Sequence, residues 1–199
     1  MRRSEFLVTD PGLISQVLSE SESGCVAMVD VDGGPYATEV NLLWFEGNLW
    51  FHSGLAGNKI QCLKQNPEVF ISVVVPSSFV PSYATDAEKP CNATQFFRSV
   101  HIKGCARFIT DMDTKIRVME GFMAKMQPEG GHRPMKDFGK ALAGTALVQI
   151  TPENIVGKFK FGQNLSAEKR AGLIKTLESS SDPRSQEALK WISGLSNLR

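Results

Sequence analysis

The sequence has little of what most metal- and nucleotide-dependent enzymes require. Among 199 residues there are four cysteines and three histidines, and no two cysteines form a C-x-x-C pair. The histidines lie too far apart for H-E-x-x-H or Cys/His zinc spacing. The G-x-x-x-x-G-K-[ST], strand-linked G-x-G-x-x-G and G-x-S-x-G patterns are all missing. These absences exclude a sequence-encoded zinc centre, P-loop, Rossmann phosphate site and hydrolase nucleophile elbow.

Long apolar runs and an excess of one charge are also missing. The longest β-branched run, 71–75, stops at Pro76 and is far shorter than the roughly 20 residues of a membrane-spanning helix. The apolar run at 6–8 that follows two arginines is too short for a signal-peptide core. The formal net charge is +1, which disfavours a polybasic nucleic-acid surface. We therefore expect a soluble cytoplasmic protein with reduced cysteines and with neither a membrane nor a nucleic-acid partner.

The first half of the chain has the pattern of β-structure. Three strand-like runs joined by glycine-containing turns predict a meander, at 25–31, 35–45 and 49–51. A helix is predicted over 56–65, ended by Pro67, because the residue before a proline is disfavoured in the α conformation. The next run, 68–75, is apolar on both faces, which predicts a buried strand.

The second half predicts further strands and three helices. Residues 76–95, rich in Pro, Ser and Thr, predict a long loop, a feature that is usually functional or disordered in compact domains. A long strand follows at 97–109, with Gly104 suited to a bulge or bend. An amphipathic helix begins near 111–113, and two more strands are predicted at 145–151 and 155–161. Ser166 and Asp182 are suited to cap two helices in the tail.

This element order predicts a mainly β fold. Seven short strands, mostly linked by hairpins and accompanied by few helices, favour a small closed antiparallel β-barrel with peripheral helices. We expect residues 1–165 to form the barrel domain. Residues 166–199 are then a C-terminal helical extension packed on the barrel.

The junction between a strand and a helix at 52–59 is the best local candidate for a site. A helix that begins there presents unpaired backbone N–H groups and the positive end of its dipole. Ser53 adds a hydroxyl, two glycines allow an anion to approach the backbone, and Lys59 adds a positive charge. The segment therefore predicts a phosphate cradle. The alternative interpretation is an ordinary Ser/Gly turn with an exposed lysine.

Several runs between residues 1 and 175 share a family pattern, namely 34–41, 49–53, 57–59, 66–67, 91–94, 98–100, 104–108 and 157–160. Together they resemble the FMN-binding split-barrel family related to pyridoxamine 5'-phosphate oxidase, and most closely its nitroimidazole-reductase and nitroimidazole-resistance proteins. The block from His52 to Pro67 is the most specific part. The resemblance implies an antiparallel Greek-key split barrel. It also implies a homodimer that binds one FMN in each of two interface clefts.

The resemblance further implies which residues bind the cofactor, namely Glu39, Val40, Asn41, His52, Ser53, Asn58, Lys59, Arg98 and Ser99. The first three are expected against the flavin ring and ribityl chain, and the phosphate at Ser53, Asn58 and Lys59. The family often has arginine where this chain has Asn58, so a charged, planar guanidinium group is replaced by a neutral amide. His52 is also a candidate catalytic residue that polarises a substrate or donates a proton. Its alternative is a core or interface histidine bonded to backbone.

Two functions from different classes stay open. One is an FMN-dependent oxidoreductase that passes electrons from a reduced donor to a small, nitroaromatic-like substrate. The other is a non-enzymatic flavin- or haem-binding regulator or sensor, because 158–164 also resembles FMN-binding transcriptional regulators. Residues 158–199 hold eight basic and four acidic side chains, a net charge of +4 that a DNA contact would favour. Oxidation of pyridoxamine phosphate itself is less favoured, since arginines for a substrate phosphate are not evident near the C-terminus.

Overall fold

The computed structural model describes residues 3–85 and 88–194. Parts of three predicted segments lie outside these residues: 1–2 of the barrel domain, 86–87 of the loop and 195–199 of the helical extension. Within the described residues, no helix combines the length and the apolar character needed to cross a membrane.

Eight β-strands and six α-helices are formed by the described part of the chain. The strands are β1 (Leu7–Val8), β2 (Ser23–Val29), β3 (Pro35–Asn41), β4 (Leu43–Phe45), β5 (Asn48–Gly54), β6 (Glu68–Val80), β7 (Thr94–Ile109) and β8 (Thr145–Lys160). The helices are α1 (Pro11–Glu20), α2 (Asn58–Gln65), α3 (Met112–Met126), α4 (Gly139–Ala143), α5 (Ala167–Glu178) and α6 (Pro183–Ser193). The strand order is β3-β2-β6-β7-β8-β5-β4, with β1 paired to β8. The pairs β1–β8, β2–β3, β2–β6, β4–β5 and β5–β8 are antiparallel.

The described residues divide into two compact units. The first comprises 3–17, 74–85, 88–100 and 156–194, and the second comprises 18–73 and 101–155. In the second unit, α3 packs a core cluster of Leu43, Trp50, Val118, Phe122 and Leu147. In the first unit, the ring of Trp191 stacks on Phe161 and meets Phe159 edge-on, with ring centroids 5.7 and 5.4 Å apart. Apolar burial of this kind stabilises each unit.

Local sequence signals predicted most of these elements. The two predicted hairpins of the meander are confirmed as β2–β3 and β4–β5. Its middle run, 35–45, is not one strand, because it divides into β3 and β4, which lie at opposite ends of the strand order. Glu46 and Gly47 adopt the positive φ angles of the second turn, 51° and 72°. The side chains of Ser166 and Asp182 cap α5 and α6 as predicted, by accepting hydrogen bonds from backbone amides. All four cysteines are free thiols.

The predicted loop over 76–95 is too long. β6 continues through Pro76 to Val80, and two 3₁₀ turns, Ser82–Ala84 and Pro90–Asn92, lie in the connection to β7. Pro76 is exposed, and a proline is accommodated in a strand where no ladder partner needs its missing N–H. The prediction of burial on both faces is also wrong, because Phe70 is 46% exposed and Val74 is 53% exposed.

The strands predicted separately at 145–151 and 155–161 are one strand, β8, which runs through the half-buried Pro152. This strand explains the glycine in β7. A Cβ placed on Gly104 would lie 2.5 Å from the carbonyl oxygen of Thr151, so no larger residue fits without moving backbone.

Helix α1 was not predicted, although its start carries a recognisable signal. Asp10 accepts a hydrogen bond from the backbone N–H of Leu13 at 2.8 Å, and Pro11 occupies the first helical position. The same Asp-Pro pair begins α6, where it was recognised.

Candidate functional site

The backbone between β5 and α2 is open to solvent at the point where the helix begins. Gly57 has a φ of 114°, which disfavours residues with a side chain, and its carbonyl accepts the first helical hydrogen bonds from Ile60 and Gln61. A Cβ added at Gly54 or Gly57 would meet no atom within 4 Å. The first N–H groups of a helix have no partner inside the helix. This junction can therefore receive an anion against the backbone.

Lys59 places a positive charge at the same helix start. Its side chain is half-buried, and its Nζ atom lies 5.3 Å from the centroid of the Phe51 ring. Burial lowers the pKa of Lys59. In the described part of the chain, no carboxylate lies within ion-pair distance of this ammonium group. A bound anion would offset the cost of its partial desolvation.

Asn58 is held by a carboxylate that the sequence analysis missed. Its Nδ2 atom donates a hydrogen bond of 3.0 Å to Oδ1 of Asp30, which also accepts from the Val31 amide at 2.7 Å and from Sγ of Cys62 at 3.4 Å. These hydrogen bonds, led by that from Asn58, lower the pKa of Asp30. The Asn58 side chain therefore anchors the helix start to the β2–β3 turn, and its backbone N–H is the group left to face a ligand.

His52 and Ser53 lie on opposite faces of β5, because successive side chains of a strand alternate. His52 is exposed as a residue, but one side of its ring meets Phe122 edge-on, with centroids 5.1 Å apart. Ser53 is half-buried and shares its face with Phe51, over which Lys59 lies. Ser53 and Lys59 thus lie on the side of the strand that suits the predicted cradle.

The environment of His52 favours its neutral form. Partial burial of the ring, and then the positive charge of Lys59, lower the pKa of His52 from 6.5. A neutral imidazole has one donor nitrogen and one acceptor nitrogen. Of the two alternatives for His52, the core histidine is wrong, since the residue is exposed, and the interface histidine stays a prediction.

The three predicted residues on β3 differ in what they can offer a ligand. Glu39 and Asn41 are exposed, whereas Val40 is only 7% exposed and packs in the core. Cys25 lies opposite Glu39 on β2, where burial and then the Glu39 charge raise the pKa of the thiol. Glu39 and Asn41 therefore have side chains available, and Val40 has only its backbone.

Arg98 and Ser99 belong to the first unit and have partners there. The buried guanidinium of Arg98 donates to Glu187 at 2.7 Å and lies 4.7 Å above the Trp191 ring. The hydroxyl of Ser99 donates to the carbonyl of Lys158 at 3.5 Å. His52, Ser53, Asn58 and Lys59 are thus brought together at one junction, whereas this pair contributes to the packing of another unit.

Comparisons with solved structures identify the fold. The chain is similar to a 5-nitroimidazole antibiotic resistance protein from Bacteroides thetaiotaomicron (TM-score 0.64, 21% identity, 76% of this chain and 85% of that one). It is also similar to a flavocytochrome from Azotobacter vinelandii (TM-score 0.68, 20% identity, 83% of this chain and 75% of that one). A third similar structure is that of an FAD- and haem-binding protein from Mycobacterium smegmatis (TM-score 0.64, 19% identity, 83% of this chain and 79% of that one). These likenesses confirm the predicted split-barrel fold, a mostly antiparallel sheet with peripheral helices.

Sequence comparison identifies the family. No curated protein matches the chain significantly. The sequence model of one family, described as Pyridoxamine 5'-phosphate oxidase, matches residues 10–159. This match spans more than half of the chain and includes β2 to β7, α2 and most of β8. The chain therefore belongs to the Pyridoxamine 5'-phosphate oxidase family.

Proposed function

We propose that this protein is a flavin-binding oxidoreductase that holds FMN by its phosphate at the Ser53–Lys59 junction. The observation that supports the proposal most is the half-buried Lys59 ammonium group, without a described carboxylate partner, beside an open helix start. Family membership supports a flavin, and two of the similar structures are named as flavin- or haem-containing proteins.

Each residue of the junction has a defined task in this proposal. The Ser53 hydroxyl, the first backbone amides of α2 and Lys59 Nζ donate hydrogen bonds to the phosphate, as helix N-termini do for anions. Asn58 contributes its backbone amide, while its side chain keeps the helix start fixed to Asp30.

The remaining predicted residues complete the proposal. Glu39 and Asn41, which are exposed, and the backbone of Val40 contact the ring and ribityl chain. In the proposed homodimer, Ser99 and Arg98 are assigned no contact with the cofactor, because Arg98 is engaged with Glu187 and Ser99 with Lys158.

His52 acts on the substrate rather than on the phosphate. A bound flavin supplies electron transfer between a reduced donor and a small acceptor, and the protein supplies binding and orientation. The neutral ring of His52, on the face of β5 opposite Ser53, donates a hydrogen bond that polarises a nitroaromatic-like substrate.

A comparison of FMN with riboflavin tests the phosphate assignment. In Lys59→Met, FMN affinity should fall by about 10- to 100-fold, as expected for one charge-assisted hydrogen bond. Riboflavin affinity should change little, because riboflavin has no phosphate. Lys64→Met is the matched control, since Lys64 is exposed on the last turn of the same helix. The assignment would be contradicted if Lys59→Met lost FMN and riboflavin affinity equally. It would also be contradicted if Lys59→Met and Lys64→Met lost FMN affinity equally.

Absorption spectra test the reaction class. A flavin spectrum that bleaches with a reduced nicotinamide and recovers with a nitroaromatic would support the oxidoreductase. A Soret band after addition of haem, with no flavin bound, would instead support a haem-binding sensor. Salt-sensitive binding to duplex DNA without turnover would favour the regulator.

A further inference from the structure

The first unit contains a cavity of about 300 Å³ that none of the proposed flavin residues lines. Its wall combines the N-terminal segment, the connection between β6 and β7, the end of β8 and the start of α5. The volume lies at the lower end of the range for small-molecule sites. The cavity therefore suits a ligand smaller than a flavin.

The lining of this cavity is positively charged. Arg3, Lys160 and Lys169 contribute three cations, and no described residue of the lining is Asp or Glu. Burial and then the charges of Lys158 and Arg3 lower the pKa of Lys160. Like charges brought together in a partly buried wall repel one another, and a counter-anion in the cavity would offset that repulsion.

Neutral hydrogen-bond donors lie in the same wall. The Nδ2 atom of Asn92 is buried and has no hydrogen-bond partner among the described residues. Buried amide groups are normally paired, so this donor is available to an acceptor on a ligand. The hydroxyl of Thr94 accepts a hydrogen bond from Lys160 Nζ, which leaves the other ammonium hydrogens of Lys160 for a ligand.

Part of the remaining wall is apolar. Val80, Phe96 and Leu165 line it beside the charged and amide groups. A pocket with a few convergent polar groups on an apolar wall typically fixes one polar end of a ligand and packs its body.

We propose that this cavity binds a small phosphorylated molecule. Its phosphate lies among Arg3, Lys160, Lys169 and the Asn92 amide, and its short carbon body packs on Phe96 and Leu165. The proposal does not depend on flavin binding, because the two sets of residues are different.

Calorimetric titration of the protein with inorganic pyrophosphate, with and without FMN, tests this site. One saturable binding event per chain is expected, with an affinity that falls as salt rises. Lys169→Met and Lys160→Met should each weaken it about tenfold or more, as expected for lost charge-assisted contacts. FMN affinity should be unchanged in Lys169→Met. The absence of pyrophosphate binding would overturn the proposal.

Two control variants separate binding in this cavity from binding elsewhere on the protein. Lys175→Met removes an exposed lysine of α5 that does not line the cavity, so it should leave pyrophosphate affinity unchanged. Lys59→Met should also leave that affinity unchanged. Competition by FMN together with a loss in Lys59→Met would place pyrophosphate at the flavin junction and overturn the proposal. Thermal unfolding of each variant checks its fold. If Lys160→Met does not fold, Lys169→Met still tests the proposal, because Lys169 is exposed and its replacement should leave the fold intact.

Discussion

The side-chain amide of Asn58 lies 3.0 Å from the carboxylate of Asp30, which fixes the first turn of α2 to the turn between β2 and β3. Because Cys62 also donates to this carboxylate, Asp30 holds the helix at two points one turn apart. The junction proposed to bind phosphate is therefore positioned by a residue that faces the helix from a different hairpin.

Replacing Asp30 by asparagine should lower stability in a pH-dependent way. The folded-state pKa of Asp30 is lowered, chiefly by Asn58, so the carboxylate stabilises the fold above its unfolded pKa of about 3.9. That contribution is lost as the pH falls through the folded pKa. The difference in urea midpoint between the wild type and Asp30→Asn should thus be present at pH 7 and shrink at pH 3. A difference independent of pH would contradict this role.

The Asn58 contact can be isolated by a double-mutant cycle. Asn58→Ala alone should destabilise the protein, and it should have a smaller effect in the Asp30→Asn background. Strict additivity of the two effects would show that the hydrogen bond contributes nothing measurable.

The charge of Lys59 should be detectable through His52. Since Lys59 is one of the two causes that lower the pKa of His52, Lys59→Met should raise that pKa towards 6.5 without reaching it, because partial burial remains. An NMR titration of the imidazole protons measures the change. Lys64→Met, on the last turn of α2, should leave the His52 titration unaltered. An unchanged titration in Lys59→Met would show that the two side chains do not interact.

The sequence predicted those parts of the fold that depend on short-range signals. The glycine turns of the meander, the proline that ends α2 and the caps of α5 and α6 each act over a few residues. The continuity of β6 and β8 could not be predicted in the same way. Whether Pro76 or Pro152 interrupts a strand depends on whether a neighbouring strand needs its N–H, and that is a tertiary property.

The same reasoning applies to the site. Ser53, Asn58 and Lys59 are close in sequence, so spacing alone predicted their proximity. Asp30 is 28 residues from Asn58, and no spacing rule joins them. The cavity of the first unit combines Arg3, Asn92 and Lys160, which only the folded chain brings together.

Two cations of α3 should differ sharply in their effect on stability. Lys115 is only 6% exposed, and its Nζ atom donates to the carbonyls of Leu142 and Thr145 at 2.9 and 2.7 Å. Lys115→Met removes this donor from two carbonyl groups and should cost about 2 kcal/mol. Arg117, by contrast, pairs with Glu46 at 3.4 Å on the surface, so Arg117→Met should change stability by less than about 1 kcal/mol. Urea unfolding measures the stability of both variants, and an equal loss of stability in the two would contradict this prediction.

Alanine substitutions at Gly104 and Gly139 should differ in their effect on stability, because the added methyl group meets backbone at Gly104 and open space at Gly139. In Gly104→Ala, the new Cβ would lie 2.5 Å from the Thr151 carbonyl oxygen, and β7 and β8 would have to separate. The expected cost is about 2 kcal/mol or more. A Cβ at Gly139 meets no atom within 4 Å, and its φ of −51° suits alanine. Gly139→Ala should therefore be neutral or stabilise the protein by up to about 1 kcal/mol, because it restricts the unfolded chain. Denaturant midpoints measure the two effects. A Gly104→Ala variant as stable as the wild type would show that the two strands tolerate a side chain at their closest approach.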